Sequence, residues 1–412
     1  MQYLAHPFND NTLRFIVRYP GVLHASALQA AAYHLVMDAP ILHASFHPKH
    51  KMAAWHVHPD VKADDCFTFI RCENKLTEQT IHESVLPIHP ADHRQMHTSL
   101  LTNGQESYII LRISHLCVDG SDGKYLLQKL LQAYNLLYSG QTLTDFHLKS
   151  GDRAAEQIYR NLDKDTLRPL LTNPMTGIKS LFPFQDDEAG SNCMVTLSIP
   201  ADVMVSAHQK AKVHNATLND VLLCACYRAY AAMDQVDENS PVSIMSMMDL
   251  RRYLPGHDSP GLANLAGSLP TYLEKVEGAF AHTLALLSAQ TRQIKDTPFG
   301  GTEGMPLLHG AAKHLPTHFL EHAASHLYKQ MSVGFTNLGT LDSALLTAGD
   351  LAPSDAFAGS VLKKKPNVQV CASSMNYCCT LTITGEYTKE DERILRTFLC
   401  RMKDEITSFI ND

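Results

Sequence analysis

The sequence lacks the features that mark membrane, nucleic-acid-binding and disulfide-stapled proteins. It has one tryptophan in 412 residues and no run of about 18 apolar residues, so it predicts no transmembrane helix. The 35 Lys and Arg against 42 Asp and Glu give a formal net charge of −7, which does not favour a nucleic-acid partner. No pair of cysteines has C-x-x-C spacing, and the start of the chain lacks a basic segment followed by an apolar one. We therefore expect reduced, buried thiols in a cytoplasmic protein without a secretory signal.

What is present favours a mixed α/β protein of two domains. Apolar residues make up 45% of the chain and charged residues 19%, which is ordinary for a globular protein with a sizeable core. Hydrophobic periodicity predicts strands over 107–114, 193–199, 240–250 and 369–387, and helices over 25–37, 121–138, 201–214, 221–233 and 389–410. A stretch rich in proline and glycine, 150–192, predicts a linker between two halves of similar length.

The most informative segment is Ser114-His115-Leu116-Cys117-Val118-Asp119-Gly120. A histidine leaves the end of a predicted strand, Asp119-Gly120 follows with a glycine that permits a tight turn, and a long helix then begins. A neutral imidazole held at a strand end suits general-base catalysis near pH 7. Asp119 has two interpretations: it orients His115 as a triad acid does, or it anchors the turn by pairing with an arginine.

Several segments, taken together and in order, resemble condensation domains, chloramphenicol acetyltransferase and related CoA-dependent acyltransferases. The H-x-x-x-D-G motif is their signature, with Ser114 here in place of a second histidine. The other similar segments are LQAAAYHLVMDAPILHASF (28–46), ATLNDVLLCACYRAY (216–230), MMDLRRYL (247–254) and FTNLGTLD (335–342). The chain lacks the D-F-G-W-G loop of plant-type members, which makes that branch an unlikely match.

The resemblance implies an α/β fold of two chloramphenicol-acetyltransferase-like subdomains in a V, with a tunnel between them. Residues 1–175 would form the subdomain that carries the motif, and 176–412 the second one. His115 matches the catalytic histidine, and Asp119 and Gly120 match the rest of the motif. Asp119 would form a structural salt bridge with Arg251, or with Arg252 as second choice. For the oxyanion of the tetrahedral intermediate, the candidates are Thr336 and Asn337 and backbone amides near Gly120.

The implied function is transfer of an acyl group from a CoA thioester to an alcohol or amine, with His115 as general base. No cofactor would be permanently bound and no metal is required; acyl-CoA or a phosphopantetheine thioester would serve as co-substrate. One alternative is a stand-alone condensation enzyme of the nonribosomal-peptide type that uses acyl or peptidyl carrier proteins. Another is a non-catalytic binding member of the fold. One chain already contains both halves of the site, so we expect a monomer.

Other features are open to two interpretations each. His314, His318, His322 and His326 have helical spacing, and His47, His50, His56 and His58 cluster near Trp55; we expect histidine-rich surfaces in both places, with metal binding as the alternative. The run Lys363-Lys364-Lys365 is either a solvated loop or a contact for the phosphates of CoA or phosphopantetheine. Neither a phosphate-binding P-loop nor a G-x-S-x-G serine elbow occurs.

Overall fold

The structure is a computed structural model that describes residues 2–48, 53–73, 76–172, 180–237, 239–276, 278–328 and 333–412. Its first half contains, in chain order, β1 (Thr12–Tyr19), α1 (Ala25–Asp38), β2 (Ala44–His47), β3 (Ala54–Val57), α2 (Ala63–Cys66), β4 (Phe67–Arg71), α3 (Leu76–Ser84), β5 (Met96–Thr102), β6 (Ser107–Ser114), α4 (Gly120–Tyr138) and α5 (Lys164–Leu167). The second half contains β7 (Ser191–Ile199), α6 (Ala201–Val213), α7 (Leu218–Ala231), β8 (Val242–Asp249), β9 (Ala266–Leu273), α8 (Phe280–Asp296), α9 (Met305–His314), α10 (Thr317–Tyr328), β10 (Val333–Thr340), β11 (Asp355–Gly359), β12 (Lys363–Lys364), β13 (Val368–Met375), β14 (Cys378–Tyr387) and α11 (Lys389–Asn411).

The predicted strands and helices are present at nearly the predicted positions. The stretch 369–387 forms a hairpin, β13 and β14, because Asn376 and Tyr377 both adopt left-handed backbone conformations, with φ of 48° and 67°. The predicted linker contains only short helical turns in its described part.

The first sheet has the strand order β11-β1-β6-β5-β4, and α1 and α4 cover one face. The strands β1 and β6 are antiparallel over their whole length, so their inward-facing residues meet in pairs such as Phe15 and Leu111. Leucines of α4 at helical spacing, among them Leu127 and Leu131, are fully buried against this face. This core therefore fixes the end of β6, from which His115 emerges.

The second sheet has the order β12-β14-β13-β10-β8-β9, and β7 pairs with the free side of β14. The helix α7 packs against this sheet and is buried on nearly every side, as its continuous apolar sequence predicts. Thr217 caps its first turn, and Asp220 accepts a hydrogen bond from the backbone amide of Thr217 in return. Helices α8 and α11 contribute to the same core.

One segment of the second half joins the sheet of the first half, a pairing that the sequence did not reveal. The strand β11 joins the edge of the first sheet, where it is antiparallel to β1. Leu341, Leu346 and Ala358 accordingly belong to the core of the first subdomain although they lie late in the chain. The predicted boundary between 175 and 176 lies outside the described residues and stays a prediction. Within the described ranges, none of the helices combines the length and hydropathy that a membrane span requires.

Candidate active site

His115 lies directly after β6, and hydrogen bonds hold both its backbone and its ring. Its amide donates to the carbonyl of Asn11 at 2.7 Å, and Nδ1 lies 2.7 Å from the carbonyl oxygen of Val118. The side-chain nitrogen of Asn264 lies 3.2 Å from the same ring nitrogen, a longer contact than the one to Val118. Because a carbonyl only accepts, the shorter contact favours a proton on Nδ1 in the neutral ring, which leaves the lone pair on Nε2. Nε2 has no hydrogen-bond partner among the described residues. This is the tautomer and orientation that a general base needs.

The ring lies between the two halves of the chain. The side-chain amide of Asn264, from the segment before β9, donates to the backbone oxygen of His115 at 2.8 Å. The residue keeps some accessible surface although protein atoms surround its ring densely. We use the term inter-subdomain channel for the tunnel that the resemblance implies beside His115 and Asn264. Sequence reasoning did not identify Asn264, which belongs to no motif.

The electrostatic environment of His115 favours its neutral form. Burial lowers the pKa of the imidazole, and the positive charge of Lys363 lowers it further. The carbonyl of Val118 and the carboxylate of Asp119 act in the opposite direction, but the net shift is downward. The imidazole is therefore uncharged at neutral pH and able to accept a proton.

Asp119 faces away from the imidazole. Its Oδ1 accepts from the amides of Ser121 and Asp122, at 3.0 and 3.1 Å, and so caps the N-terminus of α4. Its Oδ2 accepts from Nη1 of Arg251 and from the amide of Leu265, both at 2.7 Å. Of the two interpretations that the sequence left open, this geometry is that of an anchor for the turn and not of a triad acid.

Arg251 joins three carboxylates and is itself only 4% exposed. Besides Asp119 it binds Asp122 through Nη2 at 2.9 Å and Asp249 through Nη1 at 3.1 Å. Lys149 provides a second cation for Asp122 at 2.6 Å. Asp122 and Lys149 were not predicted; the one available signal was a second aspartate in the first turn of the helix that follows the motif. The ion pairs link the first subdomain to the second directly behind His115.

Gly120 is the first residue of α4, and its role differs from the one predicted. It does not adopt a left-handed conformation. A Cβ at this position would instead lie 2.1 Å from the side chain of Leu338, at the end of β10. The absence of a side chain therefore lets β10 approach the motif closely.

Thr336 and Asn337 precede Leu338 on β10 and are partly buried there. The side-chain oxygen of Asn337 accepts from the amide of Gly339 at 2.9 Å, which fixes its orientation. Lys124 of α4 donates to the carbonyl of Leu338 at 2.7 Å. These contacts bring the end of β10 next to the motif, while the oxyanion role of Thr336 and Asn337 stays a prediction.

The three consecutive lysines do not form one basic patch. Lys365 is buried in ion pairs with Asp391 at 2.6 Å and Asp186 at 3.0 Å. Lys364 is exposed, while the side chain of Lys363 is surrounded by protein. The prediction of a solvated loop is therefore wrong for Lys363 and Lys365. The three side chains do not converge on one point, as a shared phosphate contact would require.

The described histidines of the two clusters do not converge as metal ligands would. Helix α9 ends at His314 and α10 begins at Thr317, so the four histidines do not lie on one helix; the side chains of His318 and His326 lie outside the described ones. In the other cluster, Ser45 contacts Nε2 of both His47 and His58, and His50 lies outside the described residues. Among the residues that the structure describes, no group of three or more His, Cys, Asp or Glu could hold a metal ion.

Two further pockets are open to solvent and lie away from the motif. One, of about 500 Å³, lies beside the end of α4 and is lined by Gln132, Asn135 and Phe146 among others. The other, of about 400 Å³, lies between α7, α8 and α11. Neither is lined by a histidine or a cysteine, so neither competes with the inter-subdomain channel as a candidate active site.

Comparisons with known proteins agree with this arrangement. No protein-family model matches the chain. Among curated proteins, nonribosomal peptide synthetase 5 of Gibberella zeae is 23% identical over 227 residues, which are 52% of this chain and 2% of the synthetase. The match thus spans only a small part of that relative's length.

Solved structures are similar over nearly the whole chain. Trichothecene 15-O-acetyltransferase from Fusarium sporotrichioides has a TM-score of 0.73 at 12% identity, covering 99% of this chain and 94% of that one. Polyketide synthase associated protein 5 from Mycobacterium tuberculosis has a TM-score of 0.70 at 12% identity, covering 98% and 96%. The first condensation domain of the CDA synthetase has a TM-score of 0.68 at 13% identity, covering 100% and 94%. The chain therefore has the two-subdomain α/β fold of condensation domains and chloramphenicol-acetyltransferase-like acyltransferases. The resemblance seen in the sequence is confirmed at this level.

Proposed function

We propose that this protein is an acyltransferase that moves an acyl group from a thioester to an alcohol or amine in the inter-subdomain channel. The observation that carries the proposal is the 2.7 Å contact between Nδ1 of His115 and the carbonyl oxygen of Val118, which favours a proton on Nδ1 and a free lone pair on Nε2. The fold supports it, because residues of both subdomains meet at His115, where Asn264 of the second half binds its backbone oxygen.

In the proposed reaction, Nε2 of His115 takes the proton of the acceptor as its oxygen or nitrogen attacks the acyl carbon. The tetrahedral intermediate then collapses, the carbon–sulfur bond breaks, and the imidazolium gives the proton to the departing thiolate. No covalent enzyme intermediate forms. Thr336, Asn337 and the backbone near Gly120 are the candidates that would stabilise the oxyanion, and one such donor contributes about 2.7–4 kcal/mol.

Asp119 and Arg251 are positioning residues in this scheme. Their buried ion pair holds the turn that aims His115, and the second subdomain completes the site within one chain, which is why we propose a monomer. We also propose a cytoplasmic location, since all ten cysteines are free thiols, as is typical of a reducing compartment.

The proposed donor is acyl-CoA. A second candidate is a stand-alone condensation enzyme that receives its acyl group from a carrier protein. It is favoured by the match to a nonribosomal peptide synthetase and by the structural likeness to condensation domains.

Incubation of the purified protein with a panel of acyl-CoAs and pooled alcohols and amines tests these candidates. Free CoA thiol would be followed optically and acylated product by mass spectrometry. Product without any carrier protein supports the acyl-CoA donor, and product only with an acylated carrier protein supports the second candidate. Saturable binding of acyl-CoA with no product in either arm would favour a non-catalytic binding protein.

A further inference from the structure

Lys363 is joined to His115 through one short stretch of backbone. The amide of His115 donates to the carbonyl of Asn11, and two residues earlier Asn9 forms a bridge with Lys363. The amide of Asp10 donates to the carbonyl of Leu362 at 3.2 Å. Residues 9–11 therefore lie between the backbone of the candidate base and that of Lys363.

Within the described residues, the ammonium group of Lys363 makes neither an ion pair nor a hydrogen bond. The negative charge of Asp10 acts on it, but Asp10 is already bound by Arg14 and by the amides of Thr12 and Leu362. The neighbouring lysines differ, because Lys364 lies near Glu386 and Lys365 has two aspartate partners.

An unpaired ammonium in such surroundings carries a large desolvation cost, which proteins normally offset with a counter-charge. Burial lowers the pKa of Lys363 to about 8, so the ammonium form still predominates at neutral pH. Like His115, Lys363 keeps some accessible surface although protein atoms surround its side chain densely. Its charge also acts on the His115 ring.

We propose that Lys363 is a specificity-determining residue and that its ammonium group binds a carboxylate carried by one of the two substrates in the inter-subdomain channel. This inference rests on the proposed acyl transfer and narrows its substrate class. The carboxylate belongs either to the acceptor, as in a free amino acid, or to the acyl group, as in a dicarboxylic monothioester. A charge-assisted hydrogen bond of this kind typically changes affinity by about tenfold or more.

Two matched pairs of probes separate these sources. L-phenylalanine and L-phenylalaninamide differ in the carboxylate of an acceptor, and succinyl-CoA and butyryl-CoA differ in the carboxylate of a donor. Each compound is tested for binding by calorimetry and for turnover. The variants are Lys363→Met, which keeps an apolar stem, Lys363→Arg, which keeps the charge, and Lys364→Met as the exposed neighbour control.

We expect the wild-type protein to prefer the carboxylate member of one pair by about tenfold or more, in Kd or KM, with a smaller effect on kcat. The Lys363→Met variant should lose this preference, Lys363→Arg should keep part of it, and Lys364→Met should keep all of it. The variant Lys363→Met should also unfold at the same or a higher temperature than the wild type, because it removes an uncompensated charge.

Equal behaviour of both members of both pairs, in binding and turnover, overturns the inference. An equal loss of kcat for both members in Lys363→Met also overturns it, because that result assigns Lys363 to the oxyanion. If a carboxylate preference in binding depends on Lys363 but no product forms, the inference holds and the proposed acyl transfer fails. If product forms equally well with and without the carboxylate, the proposed acyl transfer holds and the inference about Lys363 fails.

Discussion

Replacement of Arg251 by methionine tests the ion-pair network behind the candidate base. The substitution keeps much of the side-chain volume but removes the guanidinium from Asp119, Asp122 and Asp249. Removing one partner of a buried pair costs about 3–5 kcal/mol. The structure favours the lower end of that range, since Asp122 keeps Lys149 at 2.6 Å and Asp249 is 42% exposed. Asp119 is then the carboxylate that is left buried without a counter-charge, and we expect the free energy of unfolding to decrease by about 3 kcal/mol.

Urea denaturation followed by far-ultraviolet circular dichroism measures this loss. Arg252→Met is the matched control, because the neighbouring arginine is exposed; its effect should stay within about 0.5 kcal/mol. The double variant Asp119→Asn/Arg251→Met should regain part of the loss, since the amide keeps the helix cap without an unpaired charge. Equal effects of the Arg251 and Arg252 substitutions, or no rescue by Asp119→Asn, would refute the reasoning.

Two further predictions concern the same site. Because the pKa of His115 is lowered, we expect kcat/KM to fall with decreasing pH only below about pH 6.5, the ordinary histidine value. Lys363→Met removes a positive charge near the ring and should therefore shift this fall in kcat/KM to higher pH. A fall that already begins at or above pH 6.5 in the wild type would contradict the assigned environment. Gly120→Ala should lower the free energy of unfolding by about 1 kcal/mol, because its Cβ would displace a methyl group of Leu338. Adding Leu338→Ala should recover part of that loss. Thermal unfolding of the two single variants and the double variant checks this, and an unperturbed Gly120→Ala variant would show that Leu338 does not pack tightly on the motif.

Much of the fold could be predicted from the sequence because its signals are local. The alternation and periodicity of 107–138 define a strand, a turn and a helix, and the structure has β6 and α4 there. The capping pattern at Thr217 likewise defines the start of α7. Only the combination of several such segments in order indicated the two-subdomain fold.

The parts that escaped prediction depend on distant pairing. The strand β11 joins a sheet whose other strands lie far earlier in the chain, and no local pattern encodes that choice. Asn264 reaches the motif only after the subdomains meet, and Lys149 reaches Asp122 only after the chain that follows α4 folds back along it. The environments of the three lysines could not be predicted either, because they depend on distant partners: Lys365 meets two aspartates, while Lys363 lies beside Asn9.

The central claim is that the imidazole of His115 carries out the proton transfer. The most direct test compares wild-type protein with His115→Ala and His115→Gln, using an acyl donor and acceptor identified by the panel and counting product by mass spectrometry. We predict that both variants fold as the wild type does by circular dichroism, still bind the donor, and lose turnover by about 10²- to 10⁴-fold. Turnover within a few-fold of the wild-type rate in the folded variants would contradict the account.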